Sequence, residues 1–255
     1  MALEGKKMNP DSIIVTRPNK VIYREGKSVV KLFEEGYSHA DILNEAHNHA
    51  MVEETGFPVP RLEAVTRIDG RWAIVMEFIE GRTLAQSIEE DPANADVYLG
   101  QMVDVQLKMH EYQSMKLRHL TDKMYERIGL SGLSQTAQFE LHARLGSLPK
   151  NYKLCHGDMN PSNVIITPSG DAVVTDWSHA TQGNASADAA RTYLLFRIAG
   201  DEVQAERYFD LFCEKSGCSR DYVQSWLPVV AASHLQKGQP VEREFLVRWT
   251  NVVSY

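Results

Sequence analysis

Two hydrophobic periodicities divide the chain. From residue 12 to about Phe78, apolar and polar positions alternate in short runs, the two-residue repeat of strands. Ile13, Ile14 and Val15 predict a first strand, Val21–Arg24 a second and Ser28–Phe33 a third, the last two joined through Glu25-Gly26-Lys27. Arg61–Arg67 and Arg71–Phe78 predict two more around an Asp69-Gly70 turn. One helix interrupts the strands, Ser38–Thr55, with Ser38 as its cap, Asp41 in its first turn, and Gly56 followed by Pro58 as its stop.

Beyond Phe78 the spacing lengthens to three and four residues. Leu84–Glu90 predicts a short helix and Ala93–Tyr112 a longer one, with Val97, Met102, Val105 and Met109 supplying the apolar spacing. Gln135–Leu145, Asp188–Ile198 with Asp188 as cap, Glu202–Lys215, Asp221–His234 and Val241–Val253 predict five further helices, while residues 120–130 leave helix and loop open. One hairpin breaks this helical half: Val164–Thr167 and Ala172–Thr175 flank the turn Pro168-Ser169-Gly170-Asp171. The pattern divides the chain into 1–78, a β-sheet with one helix, and 79–255, mainly helical, with Met76–Arg82 as the connection.

Composition narrows the function classes. A chain of 255 residues, 43% hydrophobic and 24% charged, is long enough to bury a sizeable core in one large domain or two lobes. The net charge of −7 argues against nucleic acid and against an anionic membrane surface as partners, and it suits a cationic ligand. No apolar run approaches the ~18 residues of a membrane span, and Met1–Lys7 lacks the apolar core of a signal peptide. Three cysteines, Cys155, Cys213 and Cys218, are too few and too scattered for a disulfide framework, which points to a reducing cytoplasm. His47 and His49, two apart on a helix, face different directions and read as structural rather than as a metal pair.

Candidate chemistry concentrates in Cys155-His-Gly-Asp-Met-Asn-Pro-Ser-Asn163. Asp158 precedes Asn163 by five residues, and Asp176 follows after the hairpin. With Ser169-Gly170 as a two-residue loop, paired positions sum to 339 and Asn163 falls opposite Asp176. Directly opposed residues bring their Cβ atoms to about 4.5–5.5 Å. A carboxylate and an amide oxygen that close suit Mg²⁺, which takes hard oxygen ligands. Asp158, just upstream, is placed to accept a proton from an attacking hydroxyl. A polar turn satisfying its own backbone explains any one of these residues, but not all of them at one hairpin mouth. Lys31 is a charge inside the apolar strand Val-Val-Lys-Leu-Phe, with two readings: an edge lysine facing solvent, or a phosphate-binding lysine in a cleft.

The order His156-Gly157-Asp158, four residues, Asn163, then a hairpin ending in Asp176-Trp177 resembles the aminoglycoside phosphotransferase and choline kinase-like group, relatives of the protein kinases. The resemblance runs from about residue 12 to Leu195. It implies a bilobal α+β protein-kinase-like fold, with 1–78 as the nucleotide-binding lobe and 79–255 as the catalytic and substrate-binding lobe. It implies Asp158 as the catalytic base or hydroxyl-positioning acid, His156 as the brace of its loop, and Asn163 and Asp176 as ligands of Mg²⁺. It resolves Lys31 as the lysine of the α- and β-phosphates, paired with Glu45. Met76–Ile79 matches the hinge that meets adenine through backbone groups, at Glu77 and Ile79. The implied activity is transfer of the ATP (or GTP) γ-phosphate to a hydroxyl of a small molecule. Protein or lipid-sugar kinases and a nucleotide-binding regulatory pseudokinase are the alternatives, and the oligomeric state is left open.

Three departures from the pattern matter. Asn160 stands where protein kinases carry a lysine, which favours a small acceptor over a protein. Thr16-Arg17-Pro18-Asn19-Lys20 has no glycine to let backbone N–H groups approach phosphate, and Pro18 has no N–H at all. The tail Trp249–Tyr255 carries none of the acids that meet amino groups in resistance enzymes; Asp210, Glu214, Glu242 and Glu244 either bind a cation or line solvated helix faces.

Overall fold

The computed structural model describes residues 12–235 and 240–251. The readings of Met1–Lys7 and of the tail from Val252 to Tyr255 lie outside the described residues. Contacts separate the chain into two units: unit 1 is residues up to Arg82 together with Ile165–His179, and unit 2 is Thr83–Val164 with Ala180 onward. The sequence expectation of a single cut after Phe78 contains no such return of 165–179.

Unit 1 is built on an antiparallel sheet of β1 (Ile13–Arg17), β2 (Lys20–Glu25), β3 (Ser28–Phe33), β4 (Leu62–Ile68) and β5 (Arg71–Glu77), in the order β1-β2-β3-β5-β4. Strand β3 is therefore central, and Lys31 sits between Ile22 and Ile74 rather than at an edge. Alternation sorts the side chains onto two faces. Tyr23, Val30, Leu32, Ile68, Ala73 and Val75 pack on one. Phe33, Ile74 and Met76 pack on the other with Ile42 and Ala46 of α1 (His39–Glu53). Lys31 and Phe33 alternate with Leu32, so Lys31 shares the helix-covered face. The Ser38 hydroxyl caps α1 by accepting from the Asp41 N–H at 3.2 Å. Burying Ile42 contributes about 1.5–3 kcal/mol by transfer alone.

Strand β6 (Arg82–Thr83) leads to α2 (Leu84–Glu90), whose Thr83 and Gln86 form a reciprocal capping box. Unit 2 continues with α3 (Ala95–Met109), α4 (Leu120–Gly129), α5 (Gln135–Ser147) and β7 (Lys153–Cys155). In chain order the hairpin β8 (Val164–Ile166) and β9 (Ala172–Val174) follows, which from Ile165 belongs to unit 1; unit 2 resumes with β10 (Thr181–Gly183), α6 (Ala185–Ile198), α7 (Glu202–Ser216), α8 (Arg220–Gln224), α9 (Leu227–His234) and α10 (Pro240–Val247). The core of unit 2 gathers Leu99, Met102, Val103, Leu194, Phe212, Trp226 and Val230, all buried. Val97, expected on the apolar stripe of α3, is exposed.

One open reading is settled and three expectations are corrected. Residues 120–130 are a helix, because Met124 and Ile128, four apart, bury one face. The single helix expected over Asp221–His234 is two, α8 and α9. Pro228 lacks the N–H that a continuous helix needs there but fits the first turn of a new one. Helix α6 starts three residues early, and its cap is Asn184, which accepts from the Ser186 N–H; Asp188 lies within the first turn and is buried. The hairpin turn is longer than expected: Gly170 N donates to Thr167 O at 2.9 Å and Thr167 N to Asp171 O at 2.9 Å. Its loop is thus Pro168-Ser169-Gly170, with Gly170 at φ 90°, and the two-residue loop behind the sum of 339 is not formed.

Candidate active site

Unit 1 gathers three of the residues singled out from sequence. Lys31 Nζ lies 2.7 Å from Glu45 Oε1 and 3.1 Å from Asp176 Oδ1, with Lys31 only 6% exposed. Burial pulls the ammonium pKa down, but the Asp176 and Glu45 carboxylates outweigh it and the net shift is upward. Asp176 follows β9 in the left-handed region, φ 63°, a conformation Asp visits at modest cost. The turn after it, Trp177–His179, is pinned from several sides. Trp177 Nε1 donates to Val174 O at 3.0 Å, Phe57 packs edge-on to the Trp177 ring, and Asn48 Nδ2 donates to Ser178 O at 3.2 Å. These anchors aim the Asp176 carboxylate at Lys31.

A second lysine, unremarked in the sequence, joins them. Lys20 Nζ is 3.8 Å from Asp176 Oδ2 and sits over the Phe33 ring at 5.9 Å. It opens β2 directly after the two-residue turn Pro18-Asn19, since Arg17 pairs with Lys20. The turn is too short to form a cradle of N–H groups, and the positive charge beside Asp176 is that of the Lys20 and Lys31 side chains.

At the connection beyond β5, Glu77 N donates to Arg61 O at 2.9 Å and Phe78 N to Lys27 O at 2.8 Å. Of the two residues expected at the hinge, Glu77 has its N–H engaged. Ile79 N makes no hydrogen bond among the described residues. Gly81 is required nearby: a Cβ there would collide with the Ile166 carbonyl and press on Ile165.

Unit 2 organises the central loop. Strand β7 pairs antiparallel with β10, Cys155 facing Thr181, so the loop begins from a fixed strand end. His156 is fully buried, and its Nδ1 accepts from the Asp158 N–H at 3.2 Å. Gly157 adopts φ 78°, which a side chain would strain. Asn160 Nδ2 and Asn163 Nδ2 both donate to Asp158 O at 2.9 Å, and Asn160 Oδ1 accepts from the Ser162 N–H at 3.0 Å. The Asp158 backbone is thereby held on both sides while its side chain stays 30% exposed. Asn163 lies in unit 2 and Asp176 in unit 1.

The buried Asp188 was missed as a site residue because it reads as a helix cap. Its Oδ1 accepts from Gly157 N at 2.7 Å; its Oδ2 meets Gln106 Nε2 and His110 Nε2, each at 3.1 Å. Gln106 Oε1 in turn accepts from Tyr208 at 2.7 Å. Burial raises the Asp188 pKa, but the hydrogen bond and charge of His110 and the Gly157 N–H outweigh it and hold the carboxyl below its usual range. One turn along α6, Arg191 Nη2 lies 3.9 Å from Asp158 Oδ1. Burial lowers its pKa to about 10 against the opposing pull of Asp158. No signal in a single sequence marks Asp188 or Arg191, since both sit in an ordinary alanine-rich helix.

Two of the four acids offered for binding a cation are paired with arginines. Asp210 pairs with Arg220, and Glu244 with Arg248 at 3.1 Å. No helix among the described residues is long and apolar enough to cross a membrane.

Comparison with known proteins agrees with this geometry. No curated protein matches the chain. Among solved structures, the chain is similar to the choline kinase LicA from Streptococcus pneumoniae at 15% identity and a TM-score of 0.62, covering 96% of this chain and 92% of that one. LicA in complex with AMP matches at 14% identity and a TM-score of 0.63, over 96% of this chain and 91% of that one. A thermostable mutant of the aminoglycoside phosphotransferase APH(4)-Ia, in a ternary complex with AMP-PNP and hygromycin B, matches at 13% identity and a TM-score of 0.66, over 93% and 90%. At these identities the likeness is one of fold, the protein-kinase-like α+β fold. The family model described as the phosphotransferase enzyme family matches residues 18–224, well over half of the chain, and the protein belongs to that family, the aminoglycoside phosphotransferase and choline kinase-like group.

Proposed function

We propose that the protein transfers the γ-phosphate of ATP to a hydroxyl of a small molecule. The observation that carries this reading is the buried Lys31–Glu45 pair joined to Asp176. A buried ion pair is a poor stabiliser, so its retention fits a role in meeting phosphate. Nucleotides in two structures of the same fold, AMP in one and AMP-PNP in the other, support ATP as donor. In this reading Lys31 and Lys20 face the phosphates, and the Glu77 carbonyl and Ile79 N–H face the base. Asp158 accepts the proton of the acceptor hydroxyl as the new O–P bond forms and the β–γ bridge breaks to release ADP. His156, Asn160 and Asn163 hold the Asp158 backbone for that step.

The residues fit Mg²⁺ by the chemistry of their donors. Asp176 has carboxylate oxygens, and Asn163, whose amide nitrogen donates to Asp158 O, has an amide oxygen; both are the hard donors that Mg²⁺ would take. When bound there, the ion neutralises charge on the phosphate oxygens. Asn160 in place of a lysine, tied into the loop by its own hydrogen bonds, supports a small acceptor rather than a protein. Cys155, Cys213 and Cys218 are all free thiols, in keeping with a cytoplasmic setting.

An ADP-release screen over sugars, amino alcohols, hydroxy acids and aminoglycosides tests the reading. Asp158→Ala should lower turnover of the identified acceptor by roughly 10²–10⁴-fold with ATP affinity kept. Wild-type turnover in that variant refutes the role of Asp158. The glycine-free Pro18-Asn19 turn favours a second reading, a nucleotide-binding module without transfer. Calorimetric ATP·Mg²⁺ binding with no ADP release for any acceptor would select it.

A further inference from the structure

We propose that the acceptor carries an acid group, a carboxylate or a phosphate, close to its reacting hydroxyl, and that Arg191 recognises it. This rests on the phosphotransfer reading, because it takes Asp158 as the group that meets the hydroxyl.

Arg191 is placed as a binding residue would be. Asp188 ties the first turn of α6 to Gly157 of the central loop. Arg191 is three residues further on the same helix face, so its side chain returns to the next residue of that loop, Asp158. The guanidinium is 3.9 Å from Asp158 Oδ1, beyond hydrogen-bond range. A simple counter-ion would close that gap to about 2.7–2.9 Å.

The donors of Arg191 are unspent. Its side chain is only 13% exposed, and its Nε is inaccessible and without a hydrogen-bond partner. Among the described residues Arg191 makes no hydrogen bond at all. Two other arginines of unit 2 do find acceptors: Arg144 donates to Ser225 O at 2.9 Å, and Arg243 to Leu235 O at 3.1 Å. Buried polar groups are ordinarily satisfied, and a guanidinium has five donors in a planar fork. The ligand that satisfies this fork is a carboxylate or a phosphate. The residual exposure of both Arg191 and Asp158 lets one molecule reach both. An α- or β-hydroxy acid, or a sugar phosphate, carries a hydroxyl and an acid group at such a separation. The charged neighbours of Arg191 are Asp158, Asp188 and Glu242 against Arg127, so the attraction for an acid group comes from the Arg191 fork itself. Meanwhile Asp210 and Glu244, offered by the sequence for a cation, are paired with arginines.

The test measures binding and turnover separately. Calorimetry with Mg²⁺ and a non-hydrolysable ATP analogue is run against hydroxy acids, sugar phosphates, amino alcohols and aminoglycosides. An acid-bearing compound should bind, and Arg191→Gln should weaken it tenfold or more while leaving nucleotide affinity unchanged. Arg191→Lys, which keeps the charge and loses the fork, should fall between; it also carries the test if Arg191→Gln does not fold. The hydroxy-acid and sugar-phosphate arms separate carboxylate from phosphate. The inference is overturned if no acid-bearing compound binds, or if both Arg191 variants bind it as wild type does. Turnover of amino alcohols without any binding of acids also sinks it, while sparing the phosphotransfer reading. Arg191-dependent binding of acids with no ADP release sinks the phosphotransfer reading and keeps the Arg191 site.

Discussion

Replacing Asp188 should unfold the central loop's support and cost much of the protein's stability. Asp188→Ala removes the acceptor that meets Gly157 N, Gln106 Nε2 and His110 Nε2 in the interior, leaving Gln106 only its 3.5 Å contact to Thr192 Oγ1. Breaking a buried charged network by removing one partner costs about 3–5 kcal/mol. That is a large part of the roughly 5–15 kcal/mol a domain of this kind possesses. With a urea m-value of about 1–3 kcal/mol/M, the midpoint should fall by roughly 1–5 M. Asp188→Asn keeps the volume and one acceptor but loses the charge, and should cost about 1.5–3 kcal/mol. Acid distinguishes the charge from the shape. The Asp188 carboxyl is held below its usual range. Its contribution is therefore complete above the unfolded value of about 3.9 and is lost as pH falls through the lower folded value. Wild type should lose stability more steeply than Asp188→Asn below about pH 4, and the two curves should converge. Urea titrations of both proteins from pH 7 to pH 3 measure this. A variant within about 0.5 kcal/mol of wild type at pH 7, the range of ordinary surface changes, or parallel curves in acid, would refute the reasoning.

Lys31→Met should destabilise by about 3–5 kcal/mol, because it leaves the buried Glu45 unpaired. Adding Glu45→Leu should recover much of that in urea unfolding without recovering ATP binding; a double variant no more stable than the single one contradicts the pairing. Since the Lys31 pKa is raised on folding, its contribution is complete below the unfolded value of about 10.4 and lost as pH rises through the higher folded value. Alkaline unfolding of wild type should thus be steeper than that of Lys31→Met. Lys20→Ala should raise the KM for ATP several-fold while changing stability by under ~1 kcal/mol, as its link to Asp176 at 3.8 Å is loose and partly exposed; an unchanged KM removes Lys20 from the phosphate site. Gly81→Ala should cost about 1–3 kcal/mol by thermal unfolding, through its clash with the Ile166 carbonyl.

Much of the fold is legible because the informative signals are local. Alternation predicts β3, and the helix predicted over Leu84–Glu90 is α2, both at the limits the structure shows. The chemistry of the central loop is legible because its residues are close in sequence. What is illegible depends on tertiary partners. Lys31 on a strand reads equally as an edge or a cleft residue until the strand order makes β3 central. Asp188 has the residue type and position of a cap, and only the return of α6 to Gly157 reveals a different task. The hairpin register fails by one residue because a proline-containing turn closes with three residues as readily as with two. The short strands β7 and β10 are three residues each and escape any periodicity.

Three residues that break the burial rules belong to the candidate site. Charged groups are rarely buried unless paired, yet Lys31, Asp188 and Arg191 are all withdrawn from water. Lys31 and Asp188 are fully answered by neighbours, and each answer fixes a backbone or a carboxylate: Asp188 sets Gly157, and Lys31 sets Asp176. Their charges are committed to geometry, so replacing them costs stability as well as function. Arg191 is different, because nothing among the described residues answers its donors. A buried cation without hydrogen bonds is a cost to the folded state, so its replacement should leave stability unchanged or higher while impairing acceptor recognition. The sign of the stability change thus separates the two kinds of buried charge: loss for Lys31 and Asp188, none for Arg191. Thermal unfolding of Arg191→Gln reads it, and a melting temperature depressed as far as that of Asp188→Ala would make Arg191 a structural residue.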